Sequence, residues 1–348
     1  MTPDGFDAFL LLGFGGPEGP DEVMPFLRQV TAGRGVPVER LADVAEHYLH
    51  FGGVSPINAQ NRALLAAISD AFADRDIDLP AYWGNRNWRP WLTDTVARMA
   101  SDGVRRGLVL ATSATGGYSG CRQYREDLAA ARASAGVNAP ELVKLRHFFN
   151  HPGFIAANVD RVRTALTGLP DGTRLVFTAH SIPGRMDAAA GPDGRLYSRQ
   201  QAETARLVAE AVRGEGARPG ALEGVDPAFD LVWQSRSGPP QVPWLGPDVN
   251  DHLRKLASLG VRAVLLAPTG FVSDHVEVLW DLDNEARETA DELGMTLGRA
   301  GTVGTHPAFV AAVCDLVQER LSGAEREAAG PMGPSWDECP LDAGCCLP

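Results

Sequence analysis

The chain contains 348 residues, of which 44% are hydrophobic and 22% charged, and its formal net charge is −12. This length allows two domains that each bury a core. The acidic balance argues against nucleic acid as a partner, since phosphate binding needs basic patches, and no apolar run is long enough to cross a bilayer. The first residues lack the positive region of a signal peptide, so we expect a cytoplasmic protein.

Strand-like runs rich in Val, Leu, Phe and Tyr alternate with longer segments of helical spacing along the whole chain. The predicted strands lie near residues 8–14, 79–85, 106–112, 141–146, 173–179, 230–235, 262–267 and 295–300. Helical segments between them include 57–75, 122–135, 198–214 and 276–293. This alternation predicts an α/β protein whose parallel sheets are covered by helices on both faces.

The two halves of the chain look alike at corresponding positions. After the fourth predicted strand of each half, a His-Pro pair (His151-Pro152 and His306-Pro307) precedes a helix, with proline suited to the first turn. We therefore predict two doubly wound domains that face each other across a cleft. The predicted ranges are 1–150 for the first domain, 151–303 for the second, and 304–348 for a C-terminal segment that packs back on the first.

A glycine-rich turn at residues 13–19 follows the first predicted strand. It is similar to the turn that holds a dinucleotide pyrophosphate, but Pro17 removes a backbone donor where a phosphate would need one. We favour a tight turn at Phe14 that lets a flat ligand approach the backbone. A nucleotide-binding turn is the alternative.

Three further stretches carry aromatic side chains that suit a large flat ligand. Residues 234–245 are rich in proline and include Trp244, which can form a wall of an apolar pocket. At 48–60 and 82–91, aromatic residues interleave with Ser, Asn and Arg, a mixture that suits a ring bearing carboxylates. An ordered loop and core aromatics with polar capping groups are the plainer interpretations.

Three carboxylates follow the seventh predicted strand. Glu277, Asp281 and Glu285 are spaced at i, i+4 and i+8 on a helix that we expect Ser273 or Asp274 to cap, so they share one face. A solvated acidic face is the plainer interpretation. However, open α/β sheets bind ligands beyond the carboxyl ends of their strands, and a row of carboxylates there offers a path for a divalent cation.

His180 stands at the carboxyl end of the fifth predicted strand, the first strand of the second half. A lone histidine is commonly structural, but one at this edge of a cleft can accept a proton or bind a metal. With Glu277 it would form a site of two ligands. Two ligands are too few to hold a metal permanently, which suits a metal that passes through as a substrate.

Taken together, these motifs resemble the ferrochelatases over about residues 8–320. The most specific stretches are Phe-Gly-Gly-Pro-Glu at 14–18, Gly-Gly-Val-Ser-Pro-Ile-Asn at 52–58, Ala-His-Ser-Ile-Pro at 179–183, Gln-Ser-Arg-Ser-Gly-Pro-Pro-Gln at 234–241 and Gly-Phe-Val-Ser-Asp-His-Val-Glu-Val-Leu at 270–279. The resemblance implies two Rossmann-like domains of the type II chelatase kind, with a porphyrin cleft between them. It also implies a lyase of haem biosynthesis that inserts Fe²⁺ into the porphyrin.

The resemblance assigns roles to individual residues of this chain. His180 and Glu277 match the catalytic pair, and both are expected to contact the metal along a trail continued by Asp281 and Glu285. One of the pair accepts pyrrole protons and the other holds the incoming metal. The implied porphyrin contacts are Phe14, Ser55, Tyr118 and Trp244. Phe14 departs from a tyrosine that ligates iron in some bacterial relatives, which makes His180 the expected ligand of product iron.

Five cysteines are present, and a reducing compartment makes disulfides among them unexpected. The chain is most similar to the actinobacterial branch, which implies a [2Fe-2S] cluster held by Cys121, Cys339, Cys345 and Cys346. Cys314 is expected to be a small core residue in a helix. A disordered tail with free thiols is the alternative.

The same branch implies coproporphyrin III as the substrate, coproheme as the product, and a downstream coproheme-processing enzyme as a candidate partner. The alternatives are a ferrochelatase that uses protoporphyrin IX, a cobalt chelatase for another tetrapyrrole, a nucleotide-dependent enzyme, and a non-catalytic haem carrier. The row of carboxylates favours an enzyme, because a carrier has no use for a path along which metal enters.

Overall fold

The computed structural model describes residues 5–33, 35–213, 229–238, 241–337, 339 and 346. These residues form two parallel sheets of four strands each. The strands are β1 (Ala8–Gly13), β2 (Ala81–Asn85), β3 (Arg106–Ala111), β4 (Glu141–Lys144), β5 (Arg174–His180), β6 (Asp230–Gln234), β7 (Ala263–Ala267) and β8 (Thr296–Arg299). All eight predicted strands are confirmed, with bounds within two residues of those expected.

The helices cover both sheets, as the alternating pattern predicts. They are α1 (Pro20–Val30), α2 (Val38–His50), α3 (Ile57–Asp74), α4 (Leu92–Ser101), α5 (Gln123–Ala135), α6 (Pro152–Leu166), α7 (Gly184–Ala188), α8 (Leu196–Arg213), α9 (Val249–Ser258), α10 (Val276–Val278), α11 (Ala286–Glu292) and α12 (Pro307–Leu321). Two π-helical stretches, Tyr118–Arg122 and Leu279–Glu285, precede α5 and α11. Within the described part of the chain, no helix is both long and apolar enough to span a membrane.

Both sheets have the same strand order, β2-β1-β3-β4 in the first and β6-β5-β7-β8 in the second. Every pairing is parallel. The order reverses between β1 and β3 and again between β5 and β7, and ligands of open α/β sheets bind at such switch points. The expected pair of doubly wound α/β sheets is therefore confirmed, and each sheet contributes one crevice.

The His-Pro pairs begin equivalent helices in the two halves. The rings of His151 and His306 each accept a backbone hydrogen bond of 3.2 Å, from the amides of Gly153 and Ala308, as helix caps do. Gly153 lets α6 and α12 pack closely, because a Cβ atom there would lie 2.4 Å from the Ala308 carbonyl oxygen. This contact relates the two halves through matching helices.

One apolar core is shared by the two halves, in addition to a separate core within each half. Phe9 and Leu110 of the first sheet share it with Phe177 and Leu265 of the second and with Phe309 of α12. Helix α12 packs against α6 and against α3 of the first half. This contact with α3 is what we expect of a C-terminal segment that returns to the first half. The domain boundaries 1–150, 151–303 and 304–348 stay a prediction, because the shared core crosses them.

The predicted cap of the helix at 276–293 is wrong. The residue before α10 is His275, and no side chain caps this helix. Asp274 does not cap it, because its carboxylate binds Arg299 at 3.0 Å and its amide donates to Gln60 Oε1 at 2.9 Å. The hydroxyl of Ser273 is buried without a hydrogen-bond partner. The helix itself is interrupted by the π-helical stretch Leu279–Glu285.

We predict that the buried ion pair of Arg146 and Glu319 is essential to the fold. Arg146 follows β4, Glu319 lies in α12, and their side chains are 1% and 2% exposed and joined by two hydrogen bonds of 2.7 Å. Glu319→Ala leaves a buried guanidinium without its anion, which should cost about 3–5 kcal/mol in urea unfolding. Asp43→Ala, in an exposed pair with Arg40, should cost less than about 1 kcal/mol. Equal effects of the two changes would contradict the prediction.

Candidate functional site

The candidate site lies at the carboxyl edge of the second sheet, at the switch point between β5 and β7. His180 is the last residue of β5, and Glu277 lies in α10 after β7. His180 Nε2 is 3.5 Å from Glu277 Oε2, and the two side chains are 35% and 46% exposed. The structure thus brings the predicted pair together and leaves it open to a ligand.

The imidazole of His180 is oriented by the backbone. Its Nδ1 lies 2.5 Å from the carbonyl oxygen of Ser181, which can only accept, so Nδ1 carries a proton and Nε2 faces Glu277. The Tyr197 hydroxyl donates to the His180 carbonyl at 2.8 Å. Gly270 lets the loop after β7 cross the end of β5, because a Cβ atom there would lie 2.7 Å from that of Ala179.

Opposite charge raises one pKa of this pair and lowers the other. Burial alone would lower the pKa of His180, but the hydrogen bond to Glu277 and the negative charge of that carboxylate raise it above the usual value. Burial would raise the pKa of Glu277, but the hydrogen bond to His180 and the charges of His180, His275 and His47 lower it to about 2. Glu277 is therefore an anion at neutral pH, while the pKa of His180 lies above its usual value.

Asp281 is the next carboxylate, and it behaves differently. It accepts hydrogen bonds from the Ser235 hydroxyl and from Gln234 Nε2, the latter at 3.1 Å. Burial, together with the charges of Glu277 and Glu285, outweighs these bonds and raises the pKa of Asp281 to about 7. At neutral pH an acid that exchanges its proton thus neighbours an ionised one, the arrangement that separates acid from base roles in a site.

The π-helical stretch determines where Glu285 lies. A π-helix joins backbone groups five residues apart, and here two side chains five residues apart are also joined, because Trp280 Nε1 donates to Glu285 Oε1 at 2.8 Å. Glu285 stays close enough to Asp281 to raise its pKa. Asp283 is outside the row, because it forms two hydrogen bonds of 2.8 and 2.9 Å with Arg299. The structure therefore places Glu277, Asp281 and Glu285 near His180. However, no group of three or more His, Cys, Asp or Glu side chains among the described residues is arranged to hold a metal ion.

Contacts from the first half hold the segment that carries the row. Val276 packs in an apolar cluster with Phe26 and Tyr48. The ring of His47, in α2, stacks on Trp280. The site is therefore built between the two halves.

Sequence reasoning gave several residues no role at this site, although Gln234, Ser235 and Tyr48 lie in stretches that it singled out. Gln234 is the last residue of β6 and pairs in register with His180, and Ser235 follows it. Their position at the end of a strand was therefore an available signal. Ser235 has a φ of +61°, a strained value for a residue other than glycine, and this conformation accompanies its bond to Asp281. His47 and Tyr48 come from α2 of the other half, where only the tertiary structure brings them close.

The predicted porphyrin contacts lie at several places around the two switch points. Phe14 follows β1 and is 37% exposed, with its ring against the edge of Phe26. Tyr118 follows β3 and donates to Glu126 at 3.3 Å. Ser55 is buried and donates its amide to the Pro17 carbonyl at 2.8 Å, so it supports the glycine-rich turn from beneath.

The loop that carries Trp244 is tied to the segment after His180. Trp244 pairs with Pro183 as an antiparallel bridge. The Ser181 hydroxyl donates to the Leu245 carbonyl at 2.8 Å, and the Gly184 amide donates to the Pro243 carbonyl at 2.8 Å. Trp244 is therefore held beside the strand end that presents His180.

The predicted cysteine site gathers near the end of β4. The pKa of Cys121 is raised chiefly by burial and also by the neighbouring thiols of Cys346 and Cys339, while Lys144 opposes the rise. The Cys346 amide donates to the Ala189 carbonyl at 2.7 Å. Cys345 lies outside the described residues. Cys314 is fully buried in α12, as expected.

Comparisons with known proteins agree with this geometry. A family model described as Ferrochelatase matches residues 6–321. The coproporphyrin III ferrochelatase of Nocardia farcinica is 56% identical over 98% of this chain and 97% of its own length. That of Streptomyces griseus is 53% identical over 99% of this chain and 94% of its own.

Two solved structures of type II chelatases share the fold. CbiX, described as the terminal enzyme for siroheme biosynthesis in denitrifying bacteria, aligns with a TM-score of 0.50 at 16% identity, over 90% of this chain and 100% of its own. The sirohydrochlorin chelatase SirB of Bacillus subtilis, in complex with cobalt, aligns with a TM-score of 0.50 at 12% identity, over 92% of this chain and 97% of its own. At such identity the likeness bears on the fold alone, and it confirms the expected chelatase-like architecture.

The raised pKa of Asp281 predicts a pH-dependent stability. Because its pKa is about 7 when folded and 3.8 ordinarily, the folded protein holds a proton that the unfolded chain has lost, and this contribution to stability disappears as the pH rises through 7. Asp281→Asn cannot titrate. Its melting temperature, relative to that of the unaltered protein, should therefore be higher at about pH 8 than at about pH 5.

The control is Asp291→Asn, which removes an exposed carboxylate from the neighbouring helix α11. The difference in melting temperature between Asp291→Asn and the unaltered protein should be the same at both pH values. A pH-independent difference for Asp281→Asn, or one of opposite sign, would contradict the raised pKa.

Proposed function

The chain belongs to the ferrochelatase family, and from this premise we propose that it inserts Fe²⁺ into coproporphyrin III to give coproheme in haem biosynthesis. The relatives that carry this name are 53% to 56% identical over nearly the whole chain. The observation that carries the proposal is the contact of His180 Nε2 with Glu277 at the switch point, backed by a row of carboxylates.

Metal insertion replaces two pyrrole protons by Fe²⁺, so the site must accept protons and hold a cation. We assign the first role to His180, because imidazole is the side chain whose ordinary pKa is nearest to neutral pH, and because Nε2 of His180 is the ring nitrogen that faces Glu277. We assign the metal to Glu277, because a carboxylate with a pKa of about 2 is a weak base but a permanent anion.

The rest of the row is assigned to transport. Fe²⁺ would pass Glu285 and Asp281 before it reaches Glu277, and each carboxylate would replace part of the hydration shell of the ion. Asp281, with a pKa of about 7, releases its proton readily as a cation approaches and can take a proton back after the cation has passed. The same residue therefore suits both metal entry and proton exit.

The macrocycle is assigned to the space between the two switch points. Phe14 would meet the ring from the first half and Trp244 from the second, with Tyr118 at the rim. Ser55 would act indirectly, through the turn that it supports. Product iron would have His180 as its ligand, because Phe14 offers no phenolate.

The substrate assignment is tested by anaerobic assays with Fe²⁺, in which metal insertion changes the absorption spectrum of the porphyrin. We expect a higher kcat/KM with coproporphyrin III than with protoporphyrin IX. The opposite preference would replace the assigned substrate by protoporphyrin IX. No insertion into either would overturn the enzymatic proposal and favour a haem carrier.

His180→Ala should lower kcat by roughly 10²- to 10⁴-fold, the usual contribution of a positioned general base, and leave porphyrin affinity largely intact. Binding is measured separately by quenching of protein fluorescence during a porphyrin titration. Glu277→Gln should likewise reduce turnover, while the control Asp291→Asn, an exposed carboxylate in α11, should leave it unchanged. Loss of porphyrin binding in His180→Ala would make His180 structural instead.

We also propose that Cys121, Cys339, Cys345 and Cys346 hold a [2Fe-2S] cluster. Three of these thiols are described, and Cys121 lies close enough to Cys339 and Cys346 for their charges to raise its pKa. Lys144 is buried and near Cys121, and Arg125 donates to the Cys339 carbonyl at 3.5 Å. Positive charge at this place lowers the cost of burying thiolates. When bound, such a cluster would supply a redox-active group.

Cys121→Ser should abolish the cluster, since one of its four thiolates would be lost. The measurement is the iron and acid-labile sulfide content of protein purified without oxygen, together with its visible absorption. The control is Cys314→Ala, because this buried thiol in α12 is outside the proposed set. Full cluster content in Cys121→Ser, or equal loss in both variants, would contradict the assignment.

A cytoplasmic location and a partner that processes coproheme stay predictions.

A further inference from the structure

Glu285 lies at the outer end of the carboxylate row. It lines an open surface depression with three further carboxylates and one guanidinium group, those of Asp248, Glu288, Glu292 and Arg254. It also lies in the same π-helical stretch as Asp281, four residues further along the chain. Glu285 therefore connects the solvent-facing depression with the inner carboxylates, and the direction in which its side chain points matters for any cation that enters.

The side chain of Glu285 is held by Trp280. The indole Nε1 donates to Glu285 Oε1 at 2.8 Å, between residues that the π-helical stretch brings together. A long carboxylate side chain loses conformational freedom when one of its oxygens is fixed in this way. The orientation of Glu285 consequently depends on the orientation of the indole.

The indole is in turn held by the other half of the molecule. The His47 ring lies nearly parallel to it, with centroids 3.9 Å apart and planes 8° apart. His50 meets the same indole edge-on, with centroids 5.5 Å apart. Both histidines are in α2, which packs against α10. Trp280 thus lies between the carboxylate that it holds and the helix of the first half that holds it.

The state of His47 suits a stacking partner. Burial lowers its pKa and outweighs the charges of Glu285 and Glu277, which oppose the change. The imidazole is therefore neutral at neutral pH, and a neutral aromatic ring can lie flat on the indole face without a charge that would repel an incoming cation.

We propose that His47 is a positioning residue for entry of the metal substrate: stacked on Trp280, it fixes the indole N–H on Glu285 and so holds the outermost carboxylate in line with Asp281. The inference rests on the proposed function and adds to it a residue of the first half. His47 acts through Trp280 and does not itself contact the metal.

The test measures KM for Fe²⁺ and KM for coproporphyrin III separately, in anaerobic insertion assays. His47→Ala should raise KM for Fe²⁺ by roughly tenfold, as loss of a residue that orients a metal ligand does, with KM for the porphyrin and kcat at saturating Fe²⁺ unchanged. Trp280→Phe keeps a ring for stacking but removes the N–H, and it should raise KM for Fe²⁺ in the same way.

His47→Phe is the matched variant, because it keeps a flat ring on the indole and removes the ring nitrogens. It should behave like the unaltered protein if stacking is the role. Leu49→Ala, an exposed change in the same helix, should also have no effect. Thermal unfolding of each variant checks that the protein is folded, and Trp280→Phe, which should raise KM for Fe²⁺, keeps the proposal testable even if His47→Ala unfolds.

The proposal is overturned if Trp280→Phe leaves KM for Fe²⁺ unchanged, or if KM for the porphyrin rises as much as KM for Fe²⁺. It is also overturned if His47→Phe is as impaired as His47→Ala, because a ring nitrogen would then be needed. Failure of the proposed function would look different, since the unaltered protein would then insert no Fe²⁺ at all.

Discussion

The contact of His180 with Glu277 depends on one constraint, the parallel direction of the strands of the second sheet. Parallel strands end at the same edge, and the reversal of strand order between β5 and β7 opens a crevice there. A residue that ends β5 and a residue that follows β7 therefore meet, although most of the second half separates them in sequence. The first sheet repeats the same order, so it presents its glycine-rich turn at the equivalent crevice.

The chemistry of the site follows from an unequal distribution of protons between two neighbouring carboxylates. The pKa of Glu277 is lowered to about 2 by cationic neighbours, and that of Asp281 is raised to about 7 by burial and anionic ones. The fold supplies the difference by burying Asp281 beside Glu277 and Glu285, while the hydrogen bonds from Gln234 and the strained Ser235 hold Asp281 in place and partly oppose the rise in its pKa. Identical carboxyl groups can thus serve as a permanent anion and as a proton carrier.

The fold was largely predictable because its strands are short, apolar and separated by helices of regular spacing. The same argument located His180 and Glu277, since both follow predicted strand ends. The π-helical stretch Leu279–Glu285 was not predictable, because its apolar residues repeat as in an ordinary helix. The cap at Ser273 or Asp274 failed because Arg299 and Gln60, both distant in sequence, bind Asp274.

Contacts between the halves were the other part that sequence could not supply. The stacking of His47 on Trp280 joins helices far apart in the chain, and no local pattern marks it. The cysteine set was proposed from resemblance to a family, because Cys121 lies far from the C-terminal thiols and only folding brings them near each other. The sequence pattern thus identified the reactive side chains that follow strand ends, such as His180 and Glu277. The side chains that support them, such as His47 and Trp280, are brought together only by tertiary packing.

The central claim is that the porphyrin binds between the two switch points with its nitrogens toward His180 and Glu277. A crystal structure of the protein with coproporphyrin III bound tests it most directly. We expect the macrocycle to lie against Phe14 and Trp244, with its centre facing His180 Nε2. A macrocycle bound elsewhere, or one whose centre faces away from the pair of His180 and Glu277, would contradict it.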